Sequence, residues 1–243
     1  MTLNRRHILM ALPALGLSAC ETIDPSIFEG IVNSGALSQG EAAAGIRAAL
    51  NNGVGAAIST VGREGGFLNN GRIRIPLPQR LQEVQNILQP IGAGGLLSEL
   101  QTQLNRGAEK AAPVAKDIFI DAVSDLSIQD AIGIVRGPEN AATQYLQGKT
   151  TDRLTTLFTP IMSNALQQTG ALQLVDQISA QLSSVPFAAG LGANAKSDLI
   201  GHGVEYGLEG VFTYIADEEK AIRENPAKRT SEILRRVFGS YQA

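Results

Sequence analysis

The sequence predicts an all-α protein, a multi-helix bundle of roughly eight to ten helices with one extended Gly/Pro-rich segment near residues 62–78. Three observations predict it. Apolar residues recur three and four positions apart along most of the chain, which places them on one face of a helix. Alanine, leucine and glycine abound, whereas the 243 residues include no Trp, seven Phe and four Tyr. That composition suits closely packed helices better than sheets built on aromatic and β-branched residues. Clear alternation is confined to Ile73, Ile75 and Leu77, where Pro76 and Pro78 forbid a central strand.

The elements follow in order. Ser38 to Glu41 has capping-box spacing and opens a helix carrying Ala42, Ile46, Leu50, Val54, Ile58 and Val61, which Gly62 ends. After the extended segment, a short helix passes through Leu81, Val84 and Leu88. Leu96, Leu97, Leu100 and Leu104 then begin a pattern that reaches Phe119 and Val123, and Pro113 either kinks this helix or divides it. Ser127 to Asp130 opens a further short helix, stopped by Gly137 and Pro138. Residues 139–147 form another, and Leu154, Leu157, Phe158, Ile161, Met162, Ala165 and Leu166 mark a separate stripe closing at Gly170. Leu172, Val175, Ile178 and Leu182 define the next helix, and residues 186–196 a loop. Ser197 caps the last long helix, with Ile200, Val204, Leu208, Val211, Phe212 and Ile215 inward. Gly203, Gly207 and Gly210 lie close to that face, and each costs about 1 kcal/mol against alanine, so another helix is expected to approach there. A basic amphipathic helix from Lys228 to Phe238 ends the pattern.

The amino terminus carries an address. Arg5 and Arg6 precede a short apolar run, Ile8 to Leu17, and small residues lead to Cys20, the parts of an export signal. Ten apolar residues are too short to span a bilayer core of about 30 Å. Leu17-Ser18-Ala19-Cys20 resembles the bacterial lipobox, which implies cleavage before Cys20 and a lipid on its sulfur. With no other cysteine in the chain, no intramolecular disulfide can form. Arg5-Arg6 also resembles a twin-arginine signal. The expected organisation is therefore signal peptide 1–19, lipidated tether 20–37, a single helical domain 38–239 and a tail 240–243, held at the cell envelope and facing the periplasm. Glu21 leaves inner or outer membrane open. With 20 basic and 23 acidic residues the chain is net acidic, which offers nucleic acid no basic field.

Several longer motifs carry a family resemblance. Gly65-Gly66-Phe67-Leu68-Asn69-Asn70 with Ile75-Pro76-Leu77-Pro78, the run Leu104 to Pro113 with Lys116 to Phe119, and Ala141 to Tyr145 with Lys149-Thr150 are similar to the DUF4197 family of bacterial envelope proteins. Glu218 to Pro226 with Arg229-Thr230 and Val237-Phe238-Gly239 extend the likeness, which runs from about Leu37 to Gly239. Gly107 departs from the family's usual alanine and makes its helix locally weaker. The family's function is undefined, so the resemblance assigns no residue a role.

Two motifs mimic nucleotide sites. Gly148-Lys149-Thr150 ends like a phosphate loop, yet Thr143 stands where that loop needs its first glycine. Residues Gly190 to Ala195 lack the strand and acidic partner of a dinucleotide fingerprint. His202, with Asp198, Glu205 and Glu209 at helical spacing, sketches a metal set, but a solvated polar face explains the same pattern. No metal and no cofactor is expected.

The better candidates are polar clusters in the family-like motifs. Arg63, Glu64, Asn69 and Asn70, then Asn105, Arg106, Glu109 and Lys110, then Arg136, Glu139, Asn140, Lys149, Thr150 and Arg153 can line a cleft recognising a small anionic group. The same residue types also serve as interhelical salt bridges and helix caps. The functional expectation is a binding or structural module of the envelope, joined to the membrane through lipid at Cys20 and contacting a small anionic ligand or an envelope protein. The alternative is an envelope hydrolase using Glu109 or Glu139 beside Arg106 or Arg136. Helix-in-groove binding of a partner is a third.

Overall fold

A computed structural model describes residues 39–84, 88–90, 92, 94–183 and 194–225. The leader, Cys20, Ser38 and the basic segment 228–238 lie outside the described residues. Within them the chain is helical and contains no strand. Seven helices have nine residues or more: α1 (Gln39–Val61), α3 (Gly94–Ala111), α4 (Lys116–Ser124), α5 (Ile128–Arg136), α6 (Ala141–Gln168), α7 (Ala171–Ser183) and α8 (Ala195–Glu224). Between α1 and α3 lies the five-residue α2 (Gln79–Glu83).

Among the described residues there are seven long helices rather than eight to ten: one expected division is absent, the helix through Leu81 is short, and the expected helix 228–238 lies outside them. Residues 139–147 and the stripe from Leu154 belong to a single helix, α6, of 28 residues. Its buried face runs through Ala142, Leu146, Thr150, Leu154, Phe158 and Met162 at intervals of four, without a break at Gly148. Thr150 interrupts the apolar pattern in sequence but not in space, because its hydroxyl donates to the Leu146 carbonyl and its methyl fits the core. Leu157, expected inside, is 42% exposed. At Pro113 the chain divides: a 3-10 turn, Ala112–Ala115, separates α3 from α4.

Helix ends follow their local chemistry. Ser127 accepts the Asp130 amide while Asp130 accepts the Ser127 amide, a capping box where the sequence opens α5. These bonds from the Ser127 hydroxyl and amide hold the Asp130 carboxyl below the usual carboxylate range. Gly170, at φ 83°, follows α6 and lets the chain turn into α7. The start of α8 differs from expectation. Asn194 adopts the left-handed conformation at φ 62°, so the helix begins at Ala195, and the Ser197 hydroxyl donates to the Asn194 carbonyl from within the first turn.

The architecture is organised around α8, 30 residues long, which packs mainly between α1 and α6. α3 crosses α6 and α7, while α4 and α5 close the gap between α1 and α6. Residues 62–78 carry no regular structure but are part of the core: Phe67, Ile73, Ile75 and Leu77 are buried. The alternation read from the sequence is thus an extended strap laid on helices rather than a strand in a sheet.

The α8 glycines mark close approach, as expected, although not only of helices. A Cβ on Gly203 would meet Leu104 Cδ1 of α3 at 3.2 Å, and one on Gly207 would meet Met162 Cε of α6 at 3.2 Å. At Gly210 the neighbour is the strap, with Phe67 Cε1 at 2.6 Å. Gly210→Ala is therefore expected to destabilise by about 1–2 kcal/mol, the overpacking cost reduced by alanine's better helix propensity. Gly148→Ala, where a Cβ meets nothing within 4 Å, is expected to stabilise by about 0.5–1 kcal/mol. Urea unfolding of the two variants checks that the signs are opposite. Gly107 has the same explanation: a Cβ there would meet Leu166 Cδ2 at 2.7 Å, so the weaker helix former lets α3 lie against α6.

Candidate functional site

The strap collects the first group of candidate residues. Turns within the strap satisfy several of its backbone groups, and side chains take the amides of Phe67, Leu68 and Ile75. Asn105, fully buried on α3, does so as a strand would: the Ile75 amide donates to Asn105 Oδ1 at 2.8 Å, and Asn105 Nδ2 donates to the Ile75 carbonyl at 2.9 Å. One turn along α3, Glu109 Oε1 accepts the amides of Phe67 at 3.1 Å and Leu68 at 3.0 Å. Its Oε2 accepts from Arg106 Nη1 at 2.8 Å, and Arg106 reaches Glu64 at 3.1 Å. The bond to Glu109, with the charge of Glu64 beyond it, keeps the Arg106 guanidinium more firmly protonated than usual.

α8 grips the strap from the other side. Asn70 Nδ2 donates to the Tyr214 hydroxyl at 2.6 Å, and Arg72 pairs with both oxygens of Asp217 at 2.7 and 3.1 Å. His202 Nε2 lies 2.7 Å from the Pro76 carbonyl. A carbonyl only accepts, so this nitrogen carries a proton. The imidazole is half-buried and rests on Tyr206 with ring centroids 4.3 Å apart. It is an anchor for the strap, not the solvated residue expected from its helical face. Among the described residues no three of His, Cys, Asp and Glu gather as a metal site.

The second group of candidates does not join the first. Arg153 pairs with Asp121 of α4 at 3.2 Å, and Glu139 pairs with Lys220 of α8 at 3.2 Å. Lys149 lies over the Tyr145 ring at 5.9 Å, Thr150 is inside the core, and Asn140 accepts from Gln144 at 3.0 Å. Arg136 is exposed at the end of α5, as are Arg63, Asn69 and Lys110 around the strap. No residue of these two groups lines the cavity of about 570 Å³ at the start of α8, bordered by Asp198, His202 and Glu205, or the one of about 550 Å³ between α6 and α8.

Sequence reasoning missed a carboxylate that accepts more hydrogen bonds than Glu109 among the described residues. Glu219, buried on α8, accepts the amides of Ala142 and Thr143 and the Thr143 hydroxyl, each at 2.9 Å. It thereby caps α6, whose own N-cap residue, Asn140, makes no side-chain capping bond. Arg223 completes the cluster, donating to Glu219 Oε1 at 2.8 Å and to the Ile134 carbonyl at 2.9 Å, so one ion pair joins α5, α6 and α8. No local signal announced this, because Asn140 is itself a residue type that caps helices, and only in the fold does its side chain accept from Gln144 instead.

Chemically, the buried carboxylates are already committed. Glu109 and Glu219 each accept several charged or backbone donors, which holds the side chain in place. No helix among the described residues is long and apolar enough to cross a membrane.

No curated protein and no solved structure matches this chain. A family model described as "Protein of unknown function (DUF4197)" matches residues 36–239. That span contains the strap, the α3 residues that bind it and the Glu219 cluster, and the chain belongs to the DUF4197 family.

Proposed function

We propose that this protein is a lipid-anchored, periplasm-facing helical module of the bacterial envelope that acts by binding rather than by catalysis. The observation that carries the address is Leu17-Ser18-Ala19-Cys20 at the end of a short apolar run behind two arginines. A diacylglyceryl cysteine with a further acyl chain on its amine anchors stably where one chain does not. What favours binding over hydrolysis is the use made of the acids. Glu109 has both oxygens engaged by the strap and Arg106, and Glu139 is exposed and paired with Lys220. Neither has the free, desolvated carboxyl that acid–base work at neutral pH needs. The partner of such a module is an envelope protein or a small anionic group, the latter met by exposed cations such as Arg63, Lys110 and Arg136.

Globomycin, which blocks the peptidase that cleaves before a lipidated cysteine, is expected to accumulate the uncleaved precursor in cells. Cys20→Ala is expected to abolish incorporation of labelled palmitate. Normal processing under globomycin, or a lipid label that survives Cys20→Ala, would refute the anchor.

A further inference from the structure

We infer that the groove between α6 and α8 docks an amphipathic helix of a partner, with the partner's apolar face on the groove floor and Lys or Arg along one flank. The inference rests on the proposal that the protein is a binding module and names the surface that binds. The groove encloses about 550 Å³. Its floor is Val204, Leu208 and Phe212 of α8, all but buried already. One wall is a ladder on α6, Gln147, Thr151, Thr155 and Thr159, which at 1.5 Å per residue is about 18 Å long. That length matches three turns of helix.

The lining selects the occupant. Thr151 and Thr159 spend their hydroxyl protons on the Gln147 and Thr155 carbonyls, so at these two positions the wall presents methyl groups, beside the Gln147 amide and the Thr155 hydroxyl. The other wall carries Glu205 and Glu209, exposed, one turn apart and in no ion pair among the described residues. Like charges at this spacing repel on the helix surface, and a cationic neighbour relieves that repulsion. No Lys or Arg lines the groove, so it offers an anionic ligand no counter-charge. No strand edge exists among the described residues to recruit an extended peptide by sheet pairing. A channel between antiparallel helices, apolar on its floor and acidic along one rim, is complementary to a helix with an apolar face and a basic flank.

The test uses the full-length protein and a fluorescent 16-residue helical peptide with Leu on one face and Lys along one flank, beside a control with Glu in place of Lys. Anisotropy titration is expected to show saturable binding of the Lys peptide and binding of the Glu peptide weaker by about tenfold or more. Glu205→Lys with Glu209→Lys is expected to invert that preference. Thr155→Trp, on the opposite wall, is expected to weaken both peptides by about tenfold by filling the channel. All three positions are exposed, and circular dichroism checks that the fold is retained. The inference is overturned by absence of saturable binding, by an unchanged preference in the charge-reversed protein, or by indifference to Thr155→Trp. A concentration-dependent dimer abolished by the same charge reversal would overturn it in favour of a second copy as the occupant. Because the peptide assay does not depend on Cys20, its failure leaves the anchor standing, and failure of the globomycin test leaves the groove standing.

Discussion

Glu219→Ala is expected to cost about 3–5 kcal/mol, the range for breaking a buried ion pair by removing one partner. For a domain of this size that is on the order of 10 °C in Tm. The side chains of Glu219 and Arg223 are 6% and 10% exposed, so water replaces little of what is lost. The substitution orphans the Ala142 and Thr143 amides at the start of α6 and takes from the largely buried Arg223 guanidinium its carboxylate partner. Glu219→Gln retains one acceptor oxygen but turns an amide NH₂ toward the other donors, and about half the loss is expected. Adding Arg223→Met to Glu219→Ala removes the charge that has lost its Glu219 carboxylate and is expected to recover part of the stability, as a double-mutant cycle by urea unfolding measures. A cost below about 1 kcal/mol for Glu219→Ala would show that α6 does not depend on this cap.

Asn105→Ala is expected to cost about 2–4 kcal/mol, because it removes both partners of a buried peptide group at once. Gln101 keeps a longer bond, 3.3 Å, to the Ile75 carbonyl, but the Ile75 amide is left with nothing. Asn105→Asp is expected to be no better. A carboxylate can accept the amide but cannot donate to the Ile75 and Gln101 carbonyls, and it brings a charge into an apolar core. Hydrogen exchange provides the specific readout: the Ile75 amide loses protection in either variant, while amides in the middle of α1 keep theirs. Equal loss at both places would mean that Asn105 stabilises the whole fold without holding the strap in particular.

These two sites mark the boundary of what periodicity reveals. Ile46, Leu50, Val54, Ile58 and Val61 are all buried on α1, and Val175, Ile178 and Leu182 on α7, as their spacing required. Gly62, Gly137 and Gly170 stop helices where they stand in the sequence. The strap was visible as an alternation bounded by prolines, and the α8 glycines signalled a close neighbour. Errors arose where one residue type hid a pattern. Thr150 disguised the continuity of α6, and Ser197 suggested a cap where Asn194 turns the chain.

Candidate site residues were legible as polar positions in distinctive motifs, but not as neighbours. Asn105, Arg106 and Glu109 do converge with the strap, whereas Arg136, Glu139, Lys149 and Arg153 disperse over other surfaces. The groove between α6 and α8 drew no attention because its threonines read as ordinary solvent-facing residues. It exists only once two helices lie side by side.

The sequence alone determined the helical class, most helix ends, the inward faces, the family and the expectation of an envelope address. These properties depend on residues within a turn or two of one another, where backbone preference and side-chain spacing act directly. The tertiary structure decided which polar groups are spent on the fold. Glu109 meets the Phe67 amide across 42 residues and Glu219 the Ala142 amide across 77. A carboxylate looks the same in the sequence whether it faces water or caps a distant helix. Only the packing that excludes water from it determines which donors it must find.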